Sequence, residues 1–329
     1  MRYALRRLGF FVLTLWVALT LNFLLPRLMP GNPALAMMAK FHNNGVTPQT
    51  LHTLEILFGV NSKEGLLAQY GGYLQHMLTG NFGTSLDEYP ASVSSVIGSA
   101  IWWTVGLVGI TTVLAFLLGT GLGIVSAWRR GGKLDSVVPP TFVITSAIPY
   151  FWVAMVLVLI FALTLHWFPS QGGYYVTTDT PGFNLTFFQD VVNHAFLPAL
   201  ALLITTIGTW ILTMRNTMIT TLAEDYVRMA RAKGLPGRRI MLDYAARNAI
   251  LPNLVGFAMS LGFVVSGAIL IEYVFNYPGV GYMLLQAVSG EDYPLMQALF
   301  LLITVAVLFA ILAADILTAL LDPRTRTAH

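Results

Sequence analysis

Six stretches of this chain carry no Asp, Glu, Lys or Arg: 8–26, 89–128, 136–178, 191–214, 248–271 and 293–314. Each is long enough for the ~20 apolar residues that cross a bilayer as helix. A Lys, Arg or Asp at the centre of such a span costs roughly 2.5–3.5 kcal/mol on insertion scales, so windows this clean restrict the fold severely. Composition agrees. Hydrophobic residues make up 56% of the 329, charged residues 10%, and mean hydropathy is +0.70, whereas a soluble domain is roughly 25% charged. A soluble fold is excluded. Cysteine is absent, which removes both a disulfide frame and a thiolate metal site.

The windows 89–128 and 136–178 are each long enough to hide two spans, and charge placement decides against it. Arg2, Arg6, Arg7, Arg129, Arg130, Lys133, Arg215, Arg228, Arg231, Lys233, Arg238, Arg239, Arg247, Arg324 and Arg326 fall on one side of a six-span reading; Arg27, Lys40 and Lys63 fall on the other. That strong positive-inside bias puts both termini in the cytoplasm, and splitting either window would destroy it. The expectation is an all-α polytopic membrane protein with spans near 8–26, 96–127, 137–165, 196–218, 250–272 and 296–320. Pro139, Pro140 and Pro149 are able to bend the third. The start reads as an uncleaved anchor, since its apolar run is too long for a signal peptide and no small-residue cleavage site follows.

The chain divides into an anchor helix at 1–30, an extracytoplasmic extension at 31–95, a transmembrane domain at 96–320 and a cytoplasmic tail at 321–329. The extension is too long and polar for a hairpin between spans, and short helices are expected at 47–58 and 64–78.

Against this background one charged, helix-patterned stretch stands out, from Thr221 to Leu254. It opens Thr-Leu-Ala-Glu, a capping-box pattern in which Thr221 and Glu224 satisfy each other's free amides. Glu224 precedes Arg228 by four residues, the favourable order for an ion pair. Leu222, Tyr226, Val227 and Ala230 fall on the opposite side. Gly234 fits a left-handed stop, and Pro236 the first position of a second helix, on which Arg239, Asp243 and Arg247 are spaced to ladder. The expectation is two short amphipathic helices with a bend, lying at a membrane surface at 221–247 and suited to docking a soluble partner.

This stretch resembles the EAA loop of permease subunits in ATP-binding-cassette (ABC) importers, most closely the B-type permease of the dipeptide/oligopeptide/nickel family, where a run like DYVRMARAKGL followed by RNAILP is typical. Arg228-Met229-Ala230 stands where the general pattern has Glu-Ala-Ala. Further matches are Gly80 to Leu86, Glu272 to Pro278, Gly279-Val280-Gly281, Glu291-Asp292-Tyr293-Pro294 and Leu321-Asp322-Pro323-Arg324. The resemblance implies a type I importer permease fold. It also implies a homologous second permease, two cytoplasmic ATP-binding subunits, an extracytoplasmic solute-binding protein, and a place in a bacterial cytoplasmic membrane. The docking residues implied are Glu224, Asp225, Tyr226, Arg228, Ala230, Arg231, Ala232, Lys233, Gly234, Leu235, Arg238 and Arg239. ATP and magnesium would sit on the partner subunits and no cofactor on this chain. The cargo would be a small peptide or similar polar solute, with oligosaccharide or a nickel chelate as alternatives.

The remaining candidates are sparse. Gly119-Thr120-Gly121-Leu122-Gly123 lies inside a span with no Lys-Ser/Thr after it, so close helix packing is expected rather than a phosphate loop. Asp315 is an ionisable group inside the last span and so a functional candidate, with pairing to an arginine favoured over substrate contact. Glu272, at the outer end of the fifth span, either meets substrate or caps the loop; both stay open. No His pair has metal-ligand spacing. Trp167 and Phe168 suit an interfacial belt, and the aromatic residues of 174–188 suit partner contact. No catalytic or nucleic-acid signature is present. An ion-gradient-driven transporter is the rival class; it calls for inverted repeats and paired intramembrane acids, and neither is visible.

Overall fold

A computed structural model describes residues 2–28, 65–85, 87–176, 181–182 and 184–321, with side chains omitted for 2–8, 25–28, 315 and 317–321. Nothing falls within it of the 31–64 part of the expected extension, its helix at 47–58, or the tail beyond 321. The described residues are mostly helical: α1 (Arg2–Leu28), α2 (Leu66–Thr79), α3 (Val93–Trp128), α4 (Lys133–Ser146), α5 (Tyr150–Thr164), α6 (Leu185–Leu222), α7 (Asp225–Ala232), α8 (237–249), α9 (Leu251–Phe263), α10 (Ile269–Val274), α11 (Val280–Ser289) and α12 (Tyr293–Leu321).

Among these residues, four helical stretches are long and apolar enough to cross a membrane: α3, α6, Leu251–Val274 and α12. The pair α4 and α5 makes a fifth if it is one bent span, and α1 adds a shorter apolar run, Gly9–Leu24. The third span near 137–165 is bent, at one of the prolines able to bend it. Its two helices meet at 96°. Pro139 and Pro140 sit inside α4 without breaking it, whereas Pro149 caps α5 in an extended conformation (φ −55°, ψ 130°). Proline disfavours helical geometry in the residue before it, which ends α4. The fifth span is also interrupted. A 3₁₀ turn at Val264–Ser266 runs into Gly267 at φ +71° before α10 begins.

The helices pack through glycine. At Gly119 and Gly123 of α3, an added Cβ would lie 2.6 Å from Trp210 Cβ and 2.7 Å from the Ile211 carbonyl oxygen of α6, so only glycine lets these backbones approach. Gly208 of α6 lets the Phe142 carbonyl of α4 approach in the same way. At the basic end Met214, Met218, Ala245, Ala246 and Ala249 join α6 to α8. At the far end Val93, Val96 and Ala100 of α3 pack with Val280, Leu284 and Ala287 of α11 and with Leu295 and Leu299 of α12. Beside them α2 leans on α1, with Tyr73 beneath Leu19 and Phe23.

Candidate docking surface and polar clamps

The docking stretch begins where α6 stops at Leu222. Thr221 does not form the expected capping box, because its hydroxyl donates back to the Thr217 carbonyl inside α6 (2.8 Å). Glu224 is itself the N-cap of α7, in extended geometry and with no capping side-chain bond. A threonine still inside the preceding helix cannot cap the next one. The expected Glu224–Arg228 pair is likewise replaced, since Arg228 lies 3.6 Å from Asp225, with both side chains exposed. Such a pair contributes little.

The two faces of α7 differ sharply. Val227 and Ala230 are 0% and 2% exposed and pack with Ile240, Leu235, Tyr244 and Trp128. Burying a valine side chain fully is worth roughly 1.5–3 kcal/mol, enough to seat so short a helix firmly. Arg231 reaches back over the Trp128 ring at 5.9 Å. Glu224, Asp225, Tyr226, Arg228, Met229, Arg231, Ala232, Lys233 and Gly234 face outward.

Gly234 takes φ +73°, and the Gly234 and Leu235 amides donate to the Arg231 and Ala230 carbonyls, closing the helix. Pro236 is the N-cap of α8 rather than its first residue. Arg238 and Arg239 are exposed there, and Arg239 lies 3.8 Å from Asp243. The predicted docking residues are thus exposed, apart from Ala230, which is buried, and Leu235, which is half-buried.

Sequence reasoning missed two residues that hold this surface to the spans. Trp128 is the floor under Arg231 and Gly237; its signal was an aromatic closing an apolar run just before Arg129. Asp135 takes a two-pronged bond from Arg215, Nε to Oδ1 and Nη2 to Oδ2 (3.0 Å), and also accepts from the Gly131 amide. That ties α4 to the end of α6 that carries α7. Asp135 was the one acid just after the cations of 129–133, which was its signal.

At the far end Glu272 is fully buried. Its Oε1 accepts from the Thr104 hydroxyl (2.8 Å), and its Oε2 from the Gly281 (2.7 Å) and Tyr282 (3.1 Å) amides at the start of α11. Thr104 in turn accepts from the Val280 amide. Of the two roles left open by the sequence, the geometry is that of a cap: the carboxylate lies where a helix N-terminus gathers positive charge. Burial pushes the neighbouring Tyr277 hydroxyl above the usual tyrosine range, with the Glu272 charge adding to the effect.

A second clamp uses Asp292, also fully buried. It accepts from the Ser85 hydroxyl and the Asp87 amide (3.1 Å), and caps α12 through the Leu295 amide (3.0 Å). Asp315 lies on α12, and its side chain is outside the described residues. His194 is buried beside Asp190 (3.0 Å), and Asp190 accepts from the Tyr175 amide. Tyr174 stacks on Trp103 within the chain at 5.9 Å. Trp167, Tyr175 and Phe188 remain exposed.

Residues 119–327 match the family model described as binding-protein-dependent transport system inner membrane component. The chain is similar, at 32% identity over 326 residues and 99% of each chain, to a dipeptide transport system permease protein of Lactococcus lactis. It is 31% identical over 304 residues, 92% of each chain, to an oligopeptide transport system permease protein of Bacillus subtilis. To the oligopeptide transport system permease protein of Escherichia coli K12 it is 30% identical over 326 residues, again 99% of each.

Proposed function

This chain belongs to the family of binding-protein-dependent transport system inner membrane components, and from that membership we propose that it forms half of the translocation path of an ATP-driven importer of small peptides. It is a multi-pass membrane protein and a transport component. The other half is a homologous second permease. Two ATP-binding subunits supply hydrolysis from the cytoplasm, with ATP and magnesium held on them, and a solute-binding protein delivers cargo from outside. Six spans are reached by counting α1 and treating α4 with α5 as one bent span, in a type I importer permease fold. The chain sits in a bacterial cytoplasmic membrane with both termini inside, the 31–95 extension outside, and α7 and α8 at the cytoplasmic face.

The observation that carries the docking role is the two-faced α7. Its inner side is locked to α3 and α8 through Val227, Ala230 and Trp128. Its outer side presents Glu224 and Asp225 beside Arg228, Lys233 and, just beyond, Arg238. A partner gripping that outer side moves the spans with it, which is what mechanical coupling between two rigid states requires. Peptide is the cargo favoured because the dipeptide and oligopeptide permeases above match nearly the whole chain.

Gentle detergent extraction of tagged protein, followed by mass spectrometry, tests the assembly. The expected co-purifying chains are one homologous permease and one or two ATPases, the latter lost with Gly234→Asp. Recovery of the chain alone or as a homodimer would overturn the importer reading. Uptake of labelled di- and oligopeptides against oligosaccharide by the intact system tests the cargo.

A further inference from the structure

Three neighbouring segments depart from regular α-helix, and a fourth carries an internal proline. α3 is π-helical at Val105–Gly109. α4 and α5 part between Ser146 and Tyr150 at 96°. α6 carries Pro198, which removes a ladder bond. α9 gives way to the 3₁₀ turn Val264–Ser266 and the left-handed Gly267.

Contacts place these departures side by side. A Cβ at Gly109 would lie 3.6 Å from Val264 Cγ1. Leu107, Ala154, Leu197, Ala201 and Ala268 share one buried cluster. The Thr145 hydroxyl, just before the α4–α5 break, bonds the Ile204 carbonyl of α6 at 3.1 Å.

On either side of this layer the helices are bolted together. Toward the basic end α3 and α6 interlock at Gly119 and Gly123, Asp135–Arg215 joins α4 to α6, and Asn253 of α9 donates to Thr120 of α3 (3.0 Å) and the Trp210 carbonyl of α6 (3.2 Å). The α7 helix rides on this block. Toward the far end Glu272 joins α10, α3 and α11, while Asp292 joins the 85–87 segment to α12. α12 runs past the layer unbroken.

We infer that the layer is a hinge between two rigid blocks, and that motion imposed on α7 turns the basic-end block as one body against the far-end block. Irregular stretches inside helices have fewer or weaker ladder bonds and are where helices bend. Close packing leaves each block little room to deform, so displacement collects at the layer. The inference rests on the reading of α7 as the ATPase-docking helix.

Because the chain has no cysteine, spin labels can be placed in unique pairs within the assembled, lipid-reconstituted transporter, its partner subunits also freed of cysteine. Arg129→Cys with Arg247→Cys reports inside the basic-end block, Gln189→Cys with Gln286→Cys inside the far-end block, and Arg129→Cys with Gln286→Cys across the layer. Between nucleotide-free and ATP-trapped states the cross-layer distance should shift by about 5 Å, and both within-block distances should hold to about 2 Å, as for other hinged domain motions. A basic-end pair that shifts as much as the cross-layer pair, or a fixed cross-layer distance in a transporter that turns over, overturns the hinge.

Pro149→Ala, at an exposed position, supplies the second arm. It favours continuous helix through the break and should cut transport about fivefold with ATPase binding retained, as hinge changes do elsewhere. Unchanged transport overturns the proposal. If no ATPase accompanies the unmodified chain, the docking reading fails first and takes the hinge's driver with it, a result seen before any distance is measured.

Discussion

Glu272 shows how one buried carboxylate holds three elements without a cation. Three donors converge on it, from Thr104, Gly281 and Tyr282. Replacing it with leucine leaves those donors without their acceptor, at roughly 1–3 kcal/mol for each one that stays buried and unsatisfied. Glu272→Leu should therefore lower the unfolding midpoint of the detergent-solubilised protein, and Thr104→Val should do so less; equal stability of Glu272→Leu and the parent would show that the clamp holds nothing. Asp135 and Arg215 make a different case, since here charge meets charge. Breaking such a pair from one side costs about 3 kcal/mol when the remaining charge is buried. Because Asp135 is 6% and Arg215 23% exposed at the side chain, Arg215→Ala should destabilise more than Asp135→Asn combined with Arg215→Gln. Thermal unfolding of the variants reads this directly.

At the scale of elements, α3 and α6 are joined through backbone rather than side chains. Gly123 has the Ile211 carbonyl and Met214 Cβ where its own Cβ would go, whereas Gly121, two residues away, has nothing within 4 Å. Gly123→Val should cost about 1–3 kcal/mol through overpacking and Gly121→Val very little; similar yields and melting of the two variants would contradict the packing. The α7 helix depends on its inner face in the same way. Val227→Asp places a charge in the pocket formed by Ile240, Leu235 and Trp128, and should release the helix from the spans. Limited proteolysis near Lys233 is expected to accelerate severalfold, as local opening becomes easier. Gly119, Gly123, Gly234 and the amphipathic split of α7 were all legible from sequence. Capping was not: Thr221 and Glu224 have the right spacing, but α6 continues through Leu222 and absorbs the threonine.

For the whole molecule, the charge asymmetry makes a prediction about sidedness. Single cysteines replacing Arg129 and Gln286, both exposed, should label from opposite sides of the membrane with an impermeant maleimide, Arg129→Cys only from the cytoplasm. Labelling of both from one side would defeat the six-span topology.

The sequence alone determined that this chain lives in a bilayer, where its apolar segments lie, and which short charged stretch stands apart from them. Those properties depend on transfer free energy and helical period, both local sums over neighbouring residues. Only the tertiary structure decided that Ser85 meets Asp292 across 207 positions and that Thr104 claims Glu272 across 168. It also decided that the π-helical turn of α3 and the 3₁₀ turn after α9 lie side by side, and that Thr145, before the break between α4 and α5, meets Ile204 of α6. Buried hydrogen bonds and helix breaks of this kind are settled by which segments pack together, and contacts so distant in the chain leave no periodic trace in it.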